Sequence, residues 1–218
     1  MDIMLSAMMM NPLYDMPEAS LELLVSDLAA LVHLLAVTVA FGTVIFTDYS
    51  TLKRVRHPID GDWLDSLERA HTVISAGMIM LWVSGIVLVG MRTGFQADNF
   101  SAKLIGKLII VSMLAGTAMA IKFLVFPILV RARGRALFAL SLPEKRQLAT
   151  CGGLSVAGWS LALLFGGSTI LKTAGPSTVA FITLTAYASA LLACHSVATL
   201  THQKSYSRQI DVSGVAAE

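Results

Sequence analysis

The sequence predicts an all-α fold, a polytopic membrane bundle of five transmembrane helices, and three observations carry that expectation. Hydrophobic residues make up 56% of the 218 and charged residues only 14%, and the mean hydropathy of +0.73 is too high for an ordinary soluble domain. Five stretches approach the roughly 20 apolar residues that cross a bilayer. Open strands there would leave backbone polar groups unpaired in lipid, so the spans are helices.

The first 27 residues form an outer, methionine-rich segment with five acids and no Lys or Arg. The first span is expected at Leu28 to Thr47, the second at Val73 to Met91 and the third at Leu104 to Val130. Pro127 sits near the end of the third, where a proline in a membrane helix bends the last turn rather than stopping it. A fourth span is expected at Leu154 to Leu171, and its "GGLSVAGWSLALLFGGS" is rich in small residues that suit close helix packing. The fifth is expected at Val179 to Leu200, followed by a tail over 201–218 that ends in "SGVAAE", a disordered terminus by composition. Domain organisation is therefore 1–27, a membrane domain at 28–200, and the tail. No internal repeat is evident, and the first span is expected to direct insertion without a cleavable leader.

Basic residues set the expected orientation. Lys53, Arg54, Arg56 and Arg69 surround the first loop, Arg131, Arg133, Arg135, Lys145 and Arg146 the third, and Lys204 and Arg208 the tail. The positive-inside rule makes these regions cytoplasmic, with the N-terminus outside and the C-terminus inside, in a bacterial inner membrane. Topology thus explains the basic residues, and no basic face interleaved with aromatics speaks for nucleic acid. The expected partners are the lipid bilayer and, through small-residue faces, other membrane subunits or a second copy. Cys151 and Cys194 read as small packing residues rather than a disulfide framework. Walker, Rossmann, CxxC and HExxH patterns are all missing, and Asp48, Asp60, Asp62 and Asp65 read as a solvated loop.

Polar residues inside the spans carry the chemistry. "HLLAVTVAFGTVIFTD" is apolar except for its ends, and an imidazole in hydrocarbon is a functional hypothesis by default. His33 lies roughly 8 Å into the first span from its outer end, and Lys107 roughly 5 Å into the third, at 1.5 Å per residue. The two share an outer layer, with His33 expected against the third helix. His71, Lys122 and His195 define a second, inner layer. Competing readings stay open: a snorkelling lysine at the interface, or a histidine hydrogen-bonded to a neighbouring helix. A neutral imidazole facing a second nitrogen base across membrane helices suits haem iron, and Gly42, Gly77, Gly85 and Gly116 could make room for the ring.

"HLLAVTVAFG", then "RAHTVISAGMIMLWVSGIVL", then "GKLIIVSMLAG" resembles the first three membrane helices of the HemJ-type protoporphyrinogen oxidases and their CopD-like copper-resistance relatives, over about 100 residues of the chain. The resemblance implies haem b held by His33 and Lys107, in electron transfer or porphyrinogen oxidation. Apart from the resemblance, the inner layer offers a second site that would use His71 and His195. The CopD-like side of the resemblance implies copper instead. Six of the eleven methionines lie in the first 16 residues, and thioether sulfur from Met4, Met8, Met9 and Met10 would suit Cu(I) together with His33. A non-catalytic packing subunit is the third reading.

Overall fold

The computed structural model describes residues 16–215 and is all-α, with five long apolar helices able to span a membrane. They are α1 (Met16–Arg54), α2 (Gly61–Thr93), α3 (Ala102–Arg131), α4 (Leu142–Gly167) and α5 (Pro176–Val215). The methionines proposed for copper lie outside the described residues.

The starts of α2, α3 and α4 have a chemical cause. Asp60 precedes α2 and its carboxylate accepts from Trp63 N–H at 2.7 Å. Ser101 caps α3 through Leu104 N–H, and Ser141 with Glu144 forms a reciprocal capping box at the start of α4. Between α2 and α3 the chain reverses through two left-handed residues, Gly94 (φ 59°) and Phe95 (φ 56°). The Phe95 ring folds back on Gly90, where a Cβ would stand 2.7 Å from it, so this corner needs the glycine. Threonine hydroxyls along α1 (Thr38, Thr43, Thr47 and Thr51) each return to the carbonyl four residues earlier, which satisfies them without a partner in lipid.

The helices outrun the expected spans, because apolar windows mark lipid thickness rather than helix length. α4 differs most: it starts at Leu142, twelve residues before the expected Leu154, and stops at Gly167. α5 continues through Val215, so the first residues of "SGVAAE" are helical rather than disordered. Pro127 does not stop α3. It lacks an N–H, and a wide π-helical turn at Ile121–Val125 absorbs the mismatch before the helix resumes through Phe126–Arg131.

Packing divides the chain into an α1–α2 hairpin and an α3–α4–α5 bundle, with α2 meeting α3 at few points. In the hairpin, Ala36 and Ala40 press on Gly77, where a Cβ would lie 2.8 Å from the Ala40 methyl. In the bundle, Gly106 faces Phe165 and Val179, while Gly158 faces Leu114 and the Tyr187 hydroxyl. Phe41 against Trp159, 6.0 Å between ring centres, joins the two units within one apolar core. The fourth span has the largest buried share, 39% of its most apolar window against 11–22% in the others. Gly153, Ala157, Gly158, Leu161 and Phe165 on that small-residue stretch are therefore occupied inside this chain.

At the basic end, residues 55–60 and 132–141 are hydrogen-bonded together. Ile59 N–H donates to Arg135 O and Gly134 N–H to Ile59 O, both at 2.9 Å, and Phe138 N–H donates to Val55 O. Beneath them Ile59, Trp63, Leu64, Val125, Leu129, Leu137 and Cys151 form a second core. The opposite end of the bundle, formed by residues 94–101 and 168–175, is called the far end below.

Candidate functional site: the His33 junction

His33 sits on the stripe of α1 that carries Ala36 and Ala40, and the close α1–α2 crossing brings its ring onto α2. The Nδ1 atom lies 2.9 Å from Ser84 Oγ, and Gly85 leaves the ring edge uncovered: a Cβ there would be in ordinary contact, 3.6 Å from Cε1. The neighbour of the imidazole is thus α2, not α3 as expected. Amphipathic stripes identify faces, whereas helix adjacency depends on which small residues allow close approach.

The Ser84 hydroxyl has one proton, and it lies 2.6 Å from the Met80 carbonyl, four residues back. Assigned from that network, Ser84 Oγ accepts from His33 Nδ1–H, and Nε2 keeps its lone pair. This is the tautomer of a histidine ready to ligate a metal through Nε2, with its other nitrogen tethered. Ser84 is buried, at 4% exposure, while His33 is only half-buried.

Lys107 belongs to α3, across the junction between hairpin and bundle. It is half-buried and acts electrostatically on His33, as does Arg92 from the last turn of α2. Lys103, one turn before Lys107, is buried and donates to the Ser168 carbonyl at the end of α4. Lys103 and Arg92 both act on Lys107. Lys107 and Arg92 thus act on His33 from two helices, and Arg92 and Lys103 are cations that the sequence reading did not single out.

The inner-layer residues are engaged by different helices. His71 on α2 packs edge-on to Phe126 of α3, 5.7 Å between ring centres, with Lys122 and Glu68 acting on it. His195 on α5 has Nε2 2.9 Å from Thr150 Oγ1 of α4, and the Thr150 hydroxyl itself donates to Arg146 O. By the same proton count, His195 donates through Nε2 and keeps Nδ1 bare. Among the described residues, no group of three or more His, Cys, Asp and Glu side chains could hold a metal ion. Gly77 and Gly85 lie at the α1–α2 contact, whereas Gly42 and Gly116 face open space.

Ser84 and Thr150 are the partners that sequence reasoning missed. Ser84 was within reach: it lies seven residues, roughly 10 Å, from the expected outer end of the second span, near the depth of His33. Thr150 was not, because the fourth span was expected to begin after it.

The chain matches no known family, no characterised protein and no solved structure. What the fold and the junction define is a class: a five-helix integral membrane protein with a half-buried histidine tethered to a serine of the neighbouring helix.

Proposed function

We propose that the protein lies in a bacterial inner membrane with its N-terminus outside and its C-terminus inside, and that it binds haem b at the His33 junction for redox chemistry. The orientation rests on the clustering of basic residues at one end of the bundle. The single observation that carries the haem reading is the His33 Nδ1 held 2.9 Å from Ser84 Oγ, a tether that assigns the lone pair to Nε2. A tethered tautomer is the usual state of a ligating histidine, so His33 would suit a haem-iron ligand. Lys107, which acts electrostatically on His33, is the residue to which the HemJ-type resemblance gives the second base.

Bound there, haem would supply one-electron chemistry, whether for electron transfer or for porphyrinogen oxidation of the HemJ type. The chain's own residues have simpler tasks. Ser84 fixes the ring orientation, Gly85 keeps one ring edge uncovered, and the apolar helix faces exclude water and help set the potential.

Absorbance of the protein purified in mild detergent from haem-replete cells tests the proposal. The expected result is a Soret band with one haem per chain, absent in His33→Ala and shifted or five-coordinate in Lys107→Ala. A haem-free wild type refutes it, and bound copper without a Soret band would favour the copper reading.

A further inference from the structure

The fifth helix combines the composition of a buried span with the surroundings of a lipid-facing one. α4 and α5 are the two least apolar of the five spans, and α4 is accounted for by its burial, 39% of its most apolar window. In α5 the same share is 11%, the smallest of the five. Its polarity lies on the outside. Thr178, Thr185, Ser189 and Ser196 are all exposed, and at about 100° per residue they fall within about 40° of one another around the helix. On α1, by contrast, the outward residues include Leu24, Leu28, Leu31 and Leu35.

One hydroxyl on this face lacks a partner. Among the described residues, every threonine beyond the first turn of its helix returns its hydroxyl to the carbonyl four residues back, as Thr183 does to Val179, with the exception of Thr185. Ser189 and Ser196 are satisfied within α5. Thr185 stands roughly 14 Å along the helix from Pro176, inside a hydrocarbon core about 30 Å thick, where acyl chains offer no acceptor. An unpaired hydroxyl there is costly, and a second helix supplies the missing partner.

We infer that this face of α5 docks on the same face of a second copy of the chain. Copies inserted with one topology lie parallel, so a twofold axis along the membrane normal sets Thr185 beside its own equivalent at the same depth. A hydroxyl both donates and accepts, and two such side chains satisfy each other with no further polar group. Pro176–Thr201 contains no Asp, Glu, Lys or Arg, so no charge on this face selects a different partner. Ala188, Ser189 and Ala193 are small and exposed, which lets the two backbones approach. The small-residue stretch of α4 is not available for this role, being packed inside the chain. Nothing in the inference depends on haem.

Donor- and acceptor-labelled full-length copies are reconstituted in phosphatidylcholine vesicles, and energy transfer is followed as the protein is diluted in lipid. The wild type is expected to follow a monomer–dimer curve. Thr185→Val keeps the shape and removes the hydroxyl, and should raise the dissociation constant about 3–20-fold, the range of an interhelical hydrogen bond. Ser189→Leu should weaken the dimer by filling the close approach, whereas Gly42→Leu, on the exposed side of α1 with nothing within 4 Å, should leave the curve unchanged. The face is read separately in a chain with Cys151 and Cys194 replaced by Ala. Mild oxidation in native membranes should join copies carrying Ser189→Cys and not those carrying Leu184→Cys, about 140° away around α5. Energy transfer no greater than random mixing overturns the inference, with Thr185 then returning to the Phe181 carbonyl of its own helix. So does a dimer insensitive to both α5 variants, cross-linking through Leu184→Cys alone, or a single copy bound along α5 to a different membrane polypeptide.

Discussion

Gly77→Ala is the sharpest test of the α1–α2 crossing that delivers His33 to Ser84. An added methyl would stand 2.8 Å from the Ala40 Cβ and 3.3 Å from the Ala36 carbonyl, and the latter is backbone that cannot rotate away. Overpacking of this kind costs about 1–3 kcal/mol. Replacing Gly by Ala in a helix interior gains up to about 1 kcal/mol on its own, so any net loss measures a larger clash. With that gain set against the clash the net loss is up to about 3 kcal/mol, and at about 2–4 °C per kcal/mol for a chain of this size thermal unfolding in detergent should fall by up to about 12 °C. Gly85→Ala on the same helix is the internal control, because its methyl would meet the His33 ring at an ordinary 3.6 Å; it should be neutral or slightly stabilising. Ala40→Gly added to Gly77→Ala should recover part of the loss. If Gly77→Ala is no worse than Gly85→Ala, the crossing is not as close as described and the delivery of His33 to Ser84 loses its cause.

Ser84→Ala should leave the Soret band in place and weaken haem retention about 10–100-fold, the usual effect of removing a tether behind a ligand; unchanged retention in a competition assay argues against the Nδ1 tether. Thr150→Val should destabilise by about 1–3 kcal/mol by leaving His195 without its hydroxyl acceptor, without altering any haem spectrum. Asp60 gives a pH signature: the Trp63 N–H first, and Arg54 second, hold its carboxyl below the ordinary range. A folded-state value below the unfolded one means stabilisation present above about pH 4 and lost as the pH falls through the folded value. Asp60→Asn should therefore flatten the acid limb of a melting-temperature profile, and an unchanged limb would exclude Asp60 as its source. A fluorescent reporter that is silent outside the cytoplasm, fused after Glu218, should glow; a dark fusion on an inserted full-length chain contradicts the orientation.

Composition made the five helices legible because lipid demands long apolar runs, and α2 and α3 followed their expected spans with extra turns at the basic end of α2. α4 was misplaced for a physical reason. Its first twelve residues, "LPEKRQLATCGG", include three charges and two glycines, so hydropathy sees no span, yet the helix is set by Ser141, Pro143 and Glu144 at its start. That capping pattern is local and legible in the sequence. His33 was legible as a polar group within an apolar span, whereas the choice of α2 as its partner depended on Gly77 meeting Ala36 and Ala40, a pairing between distant segments that no local pattern encodes.

The wide turn at Ile121–Val125 has a consequence for the whole third helix. Toward the far end α3 buries Gly106 and Leu114 against α4 and α5; beyond the turn it offers Phe126 to His71 of α2 and shares a core with Trp63 and Leu64. A π-helical turn holds one residue more than an α-turn, and one residue is worth about 100° of rotation. α3 therefore behaves as two segments out of phase, each addressed to a different half of the protein. Deleting a single residue between 121 and 125 would bring them into phase, swing Phe126 off His71 and turn the apolar face of Val125 and Leu129 away from the loops at the basic end, so a one-residue length change here should disrupt the protein more than most substitutions at the same positions.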